Sequence, residues 1–191
     1  MIVVKLGGSL YSSPYLKEWV DNLASVNNQT MIIVPGGGPF ADQVRKASSD
    51  WDLDDEVAHE MATLAMQQFA LLISSLNQKI KTCDSIDTLV ESPKDNVLVW
   101  LPYHDVITRC HYPKSWRVTS DSLSLWLANA LTAEKLLLVK SAKVNDSINN
   151  LISSDVVDEY FSTAINEFSG EINFYHASQS KQCINDLNNN G

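Results

Sequence analysis

Basic residues are scarce in this chain: 14 lysines and arginines stand against 23 aspartates and glutamates, for a formal charge of -9. An acidic balance of that size argues against nucleic acid or anionic lipid as a partner, because both require a net basic patch. Cysteine is sparse too. Cys83, Cys110 and Cys183 lie far apart with no CxxC pair, which indicates neither a disulfide framework nor a structural zinc site and fits a reducing cytoplasm. Long apolar runs are missing: nothing approaches the roughly 18 residues of a membrane span. Met1 to Leu6 is too short, and too soon broken by glycine, to be a secretory signal. No internal repeat or low-complexity linker appears, so residues 1–191 are expected to form a single domain.

Glycine is the scarcity that informs most. Gly7 and Gly8 form one cluster, Gly36, Gly37 and Gly38 another, and only Gly170 lies between Gly38 and the terminal Gly191. Each cluster closes a short apolar run, Ile2 to Leu6 and Met31 to Val34, that reads as a strand buried on both faces. Further strands are expected over 97–101, 136–139 and 172–175. Between them, apolar residues at helical spacing predict helices over 15–26, from Pro39 onward, over 54–76, over 119–131 and over 156–168. The 54–76 helix has a wide stripe of Val57, Met61, Leu64, Phe69, Leu72, Ile73 and Leu76, and the tail DLNNNG is expected to fray. Strands alternating with helices imply an α/β fold, a three-layer αβα sandwich with a mainly parallel sheet.

In such a sheet, ligands lie at the carboxyl ends of the strands, and glycines there let backbone N–H groups approach an anion. Lys5 and Lys140 each close an apolar strand and would bring point charges to the same edge. The bland alternative is that the glycines only make tight turns and the lysines reach out to solvent. Neither GxxxxGK[ST] nor GxGxxG occurs. His59 and Glu60 read as polar residues on the outer face of a packed helix. His104, Cys110 and His111 match no common zinc spacing. Trp51, Trp100, Trp116 and Trp126 read as core or interface, with a substrate contact open for Trp116 and Arg117 beside TSDS.

Taken in order, VVKLGGSL, VPGGGPFAD, TSDSLSLWLANAL and LLLVKSAKV resemble the amino acid kinase family, which includes aspartate, acetylglutamate and uridylate kinases. The stretch from Phe40 to Ala70, with WLP further on, resembles a small branch acting on an aminomethylfuran-methyl phosphate in methanofuran-type carrier synthesis. The resemblance implies an ATP-dependent phosphotransferase with Mg²⁺, acting on a small phosphorylated or carboxylated metabolite. It assigns catalysis to Lys5, Asp121 and Lys140, and phosphate or nucleotide binding to Gly7, Gly8, Ser9, Lys140 and Lys143. Substrate binding falls to Gly36, Gly37, Gly38, Asp42, Thr119 and Ser120, with no protein metal ligand. It also implies a homodimer through the 54–76 helix, an acceptor half over 1–131 and a nucleotide half over 132–191.

These roles suit phosphoryl transfer, which needs positioning and charge neutralisation more than covalent chemistry. The stretch SAKVNDSINNLISS lacks the glycine turn the family carries there, so a shortened nucleotide lobe is expected. That departure leaves a second reading open, a kinase-like binding or regulatory protein that has lost turnover.

Overall fold

The computed structural model describes residues 1–27, 29–93, 95–142 and 156–189. Its strands are β1 (Ile2–Leu6), β2 (Met31–Pro35), β3 (Lys81–Cys83), β4 (Val97–Trp100), β5 (Lys135–Lys140) and β6 (Glu171–His176). They form one sheet in the order β3-β4-β2-β1-β5-β6, with every neighbouring pair parallel. The helices are α1 (Leu16–Leu23), α2 (Gly38–Trp51), α3 (Asp55–Leu76), α4 (Ile86–Glu91), α5 (Tyr103–Arg109), α6 (Ser120–Ala130), α7 (Phe161–Ala164) and α8 (Ser180–Asn189). They cover both faces of the sheet, as continuous apolar strands such as IVVKL and MIIVP require.

Strand side chains alternate between faces, and that alternation sorts the core. Ile2, Val4, Leu6, Ile33, Leu137 and Val139 pack against Trp19 and Leu23 of α1, Phe69 and Ile73 of α3, and Leu187 of α8. Val3, Ile32, Val34, Leu136 and Leu138 pack on the other face against Leu123 and Leu127 of α6, Leu89 of α4, Val106 of α5 and Phe161 of α7. Lys5 shares the parity of Val3, and Lys140 that of Leu136 and Leu138. Both lysines are therefore delivered to the face that carries α6.

The strand order turns back on itself at β1. The chain steps outward from β1 through β2, then returns to add β5 and β6 on the opposite side. Such a reversal opens a crevice at the carboxyl ends of the central strands, which here end in Gly7, Gly36 and Lys140.

Several expectations need correction. The 156–168 helix is confined to α7 and a 3-10 turn over Ile165–Glu167, because Asp158 is used to cap helix ends and cannot lie within a continuous helix. Of the tail expected to fray, the part through Asn189 is helical, with Cys183 and Leu187 of that helix in the core, and residues 190–191 lie outside the described residues. Of the two places expected for Trp51, core or interface, its 78% exposure removes the core. In α3, capped by Asp54 accepting from Val57 N at 2.9 Å, the buried face includes Ala58, His59, Thr63, Met66, Phe69 and Ile73, while Val57 and Leu64 lie outside it. The short elements β3, α4 and α5 have too few residues for a periodic signal, and all three escape the sequence reading.

Candidate active site

The two glycine clusters interlock. Gly7 N donates to Val139 O at 3.2 Å, which ties the end of β1 to β5. Beyond it, a Cβ on Gly8 would lie 2.4 Å from Gly38 N, and one on Gly36 would lie 2.2 Å from Gly8 N. Side chains are thus excluded by backbone on both loops, and Gly38 has a left-handed φ of 55° as well. The result is a cradle of main chain at the crevice, with α2 starting from it.

Under this cradle lie two lysines and one aspartate. Lys5 Nζ is 2.6 Å from Asp121 Oδ1, and Lys140 Nζ donates to Asp121 Oδ2 at 2.6 Å. Each carboxylate oxygen of Asp121 therefore faces its own ammonium group. The three side chains are only 4%, 11% and 7% exposed for Lys5, Lys140 and Asp121. Burial pushes the Asp121 carboxyl up, but the Lys5 and Lys140 charges outweigh it and the net direction is down. Burial, joined by repulsion from Lys5, pushes the Lys140 amine down to about 8 against the pull of Asp121. Two cations on one carboxylate leave a net positive charge at the foot of the cradle, where an anion would gain most.

The first turn of α6 that carries Asp121 is held by a residue that the sequence reading missed. Asp158 accepts from Thr119 N at 2.9 Å, Thr119 Oγ1 at 2.8 Å, Ser122 N at 3.0 Å and Phe161 N at 3.1 Å, and also from Ser122 Oγ. It caps α6 and α7 together. Burial, then repulsion from Asp121, pushes the Asp158 carboxyl up, and its hydrogen bonds only partly offset this. Thr119 thus commits both its N–H and its hydroxyl to Asp158.

A cleft of about 370 Å³ opens beside the cradle. Of the expected site residues, Gly8, Ser9, Gly37, Gly38, Asp42, Thr119 and Ser120 line it, while Lys5, Asp121 and Lys140 are nearly buried and are not part of its lining. Gly7 and Gly36 are buried in the loops themselves. Ser9 Oγ donates to Ser141 Oγ at 2.9 Å, bridging the ends of β1 and β5. Lys143 lies outside the described residues.

The cleft also takes in Arg45, His59, Thr63 and Trp116. Arg45 sits over the Trp116 ring, its Cζ 4.6 Å from the centroid, a cation–π contact that makes Trp116 a stacking surface. His59, expected on the outer face of its helix, is 6% exposed in the cleft wall. Burial pushes its imidazole down, opposed by a hydrogen bond to the Ser115 backbone. The signal for it was present as His59, Thr63 and Met66, a stripe at helical spacing beside the apolar one. His104, Cys110 and His111 join no group of three or more metal-capable side chains among the described residues.

Comparison with known proteins agrees with this architecture. The fold resembles uridylate kinase from Archaeoglobus fulgidus, with a TM-score of 0.67 at 14% identity over 96% of this chain and 95% of that one. It also resembles UMP kinase from Ureaplasma parvum, with a TM-score of 0.64 at 18% identity over 92% and 88% of the two chains. In sequence, the chain is 32% identical to [5-(aminomethyl)furan-3-yl]methyl phosphate kinase from Methanocaldococcus jannaschii, over 72% of this chain and 64% of that protein. The match therefore spans less than two thirds of the relative's length. The amino acid kinase family model matches residues 1–150. That span takes in both glycine loops, Lys5, Asp121 and Lys140 on a sheet of the same fold, so the chain belongs to the amino acid kinase family.

Proposed function

We propose that this protein is an ATP-dependent phosphotransferase whose acceptor is a small phosphorylated metabolite of the aminomethylfuran-methyl phosphate class, the class named for its methanogen relative. The observation that carries the reading is the buried Lys5–Asp121–Lys140 unit at the foot of the glycine cradle. A main-chain cradle with no room for Cβ atoms, set over a net positive charge, fits the phosphates of a nucleotide and an acceptor. When bound, ATP supplies the phosphoryl group, and Mg²⁺, which needs few protein ligands, offsets its charge.

The chain's own groups then do the following. The glycine loops hold phosphate oxygens through backbone N–H groups. Lys5 and Lys140 stabilise charge on the moving phosphoryl group, and Asp121 keeps both ammonium groups aimed without entering the covalent change. The Trp116 face and the His59 wall hold the acceptor's ring, and Asp42 gives an ammonium group a counter-charge. In this reading residues 1–131 serve the acceptor and 132–191 the nucleotide, and a second copy covers the outer face of α3.

The test is ADP release from Mg·ATP with a phosphorylated furan alcohol as acceptor. Lys5→Ala or Asp121→Asn should lower kcat by roughly a hundred- to a thousandfold while the protein still melts cooperatively. Because the residues act as one unit, the double variant should be little worse than the worse single one. Full activity in folded Lys5→Ala would end the catalytic assignment. Absence of ATP binding at millimolar concentration in the wild type would instead favour the binding-protein reading.

A further inference from the structure

Asp158 is costly where it stands. It is a carboxylate placed close enough to Asp121 for their repulsion to matter, in a site where burial already disfavours charge. Yet its two oxygens gather donors from Thr119, Ser122 and Phe161. Of the N–H groups at the amino end of α6, it takes those of Thr119 and Ser122, which flank Ser120 and Asp121 in the sequence. The neighbouring chain reinforces the arrangement: Tyr160 N donates to Arg117 O at 3.0 Å, and Glu159 pairs with Arg117 at 2.9 Å. Residues 158–160 are thus laid along 117–122, and Asp121 is bracketed by two anchored positions.

We infer that Asp158 is a positioning residue that acts through Asp121: by anchoring Thr119 and Ser122 it holds the Asp121 carboxylate within ion-pair distance of Lys5 and Lys140. A second effect follows from the same contacts. With a carboxylate already at the amino end of α6, that helix end offers little to a substrate phosphate, which is left to the glycine loops and the lysines. The inference takes the site as proposed above, but its primary test reads the Lys140 amine and requires no turnover.

The test compares wild type, Asp158→Asn and Asp158→Ala by pH-dependent competitive acetylation of Lys140 in substrate-free protein, followed by mass spectrometry. An asparagine with its oxygen in the place of Oδ2 keeps acceptance from Thr119 N, Thr119 Oγ1 and Ser122 N, so it removes the charge and retains most of the geometry. Alanine removes both. Among the described residues, the charged groups that bear on Lys140 are Lys5 and Asp121, so its titration reports where Asp121 stands. Lys140 should titrate lower in Asp158→Ala than in Asp158→Asn by about one pH unit, the size of effect a contact-distance carboxylate produces. Equal titration in the two folded variants would overturn the inference, because only loss of charge would then be at work.

Where Asp158→Ala does not fold, Thr119→Val and Ser122→Ala each remove one hydroxyl donor. A lowered Lys140 titration in either supports the inference, and an unchanged one in both refutes it. In turnover, Asp158→Ala should lose roughly tenfold to a hundredfold in kcat with little change in KM, and Asp158→Asn should recover most of it. A wild type without turnover would count against the proposed function and leave the Lys140 comparison intact.

Discussion

Lys140 holds its proton against its own burial, and that sets two opposite pH dependences. In the free protein the amine is pushed down to about 8, so under the proposed function kcat/KM should fall above that pH as the cation proposed to bind phosphate is lost. The limb in kcat should lie higher, because a bound phosphate favours the charged amine. Stability moves the other way. An unfolded lysine titrates near ~10.4, so between about 8 and that value the unfolded chain binds the extra proton and folding gains as pH rises. Urea midpoints of wild type should therefore climb relative to Lys140→Met from pH 8 to pH 10, and parallel curves would show the amine to be unperturbed.

How much of the site the sequence shows depends on where each residue finds its partners. Lys5 and Lys140 stand out at the ends of apolar strands, whereas Asp121 is singled out only through the family resemblance of TSDSLSLWLANAL, and the structure brings the three together. Asp158 and His59 do not, because their roles come from contacts with residues 36 and more positions away, Ser122 for one and the 115 loop for the other.

At the scale of elements, long periodic segments were legible and short ones were not. The 22 residues of α3 carry a cap and acidic first-turn residues that agree, and a stripe that agrees at Phe69 and Ile73 but not at the exposed Val57 and Leu64. The three residues of β3 and the six of α4 carry no comparable pattern, and their positions follow from β4 and from Ser85 and Asp105, which bond the first turn of α4. In 156–168 the apolar spacing is genuine, but Asp158 gains more by capping two helix ends than by extending one.

The outer face of α3 carries its own prediction. Val57, Leu64 and Leu71 are 43%, 41% and 56% exposed at seven-residue intervals, a line that a second α3 would cover in a two-fold dimer. Light scattering should give a dimer for the wild type and a monomer for Leu64→Glu/Leu71→Glu. A wild-type monomer at micromolar concentration would remove this interface.

For the whole molecule, the order of elements along the chain was readable because every long strand is followed by helix, and a parallel sheet is what that alternation builds. The order across the sheet was not, since nothing local to β1 says that β2 lies on one side and β5 on the other. That arrangement nonetheless creates the site: it sets the ends of β1, β2 and β5 side by side, so two loops and two lysines far apart in sequence meet at one crevice. No helix among the described residues is long and apolar enough to cross a membrane.

The alternation that delivers Lys5 to the α6 face also constrains how the gene can change. One extra codon between Lys5 and Gly7, whose N–H is tied to Val139 O, would turn Lys5 toward the apolar face of Trp19 and Phe69 and bring another side chain to Asp121. A scanning library of single-codon insertions should therefore be almost empty of soluble protein across 2–6, yet well populated between α1 and β2. Recovery of soluble, active clones with one added residue in β1 would show that the strand can slip its register. Substitution and length thus obey different rules in β1, and a lineage can exchange its valines far more freely than it can add to them.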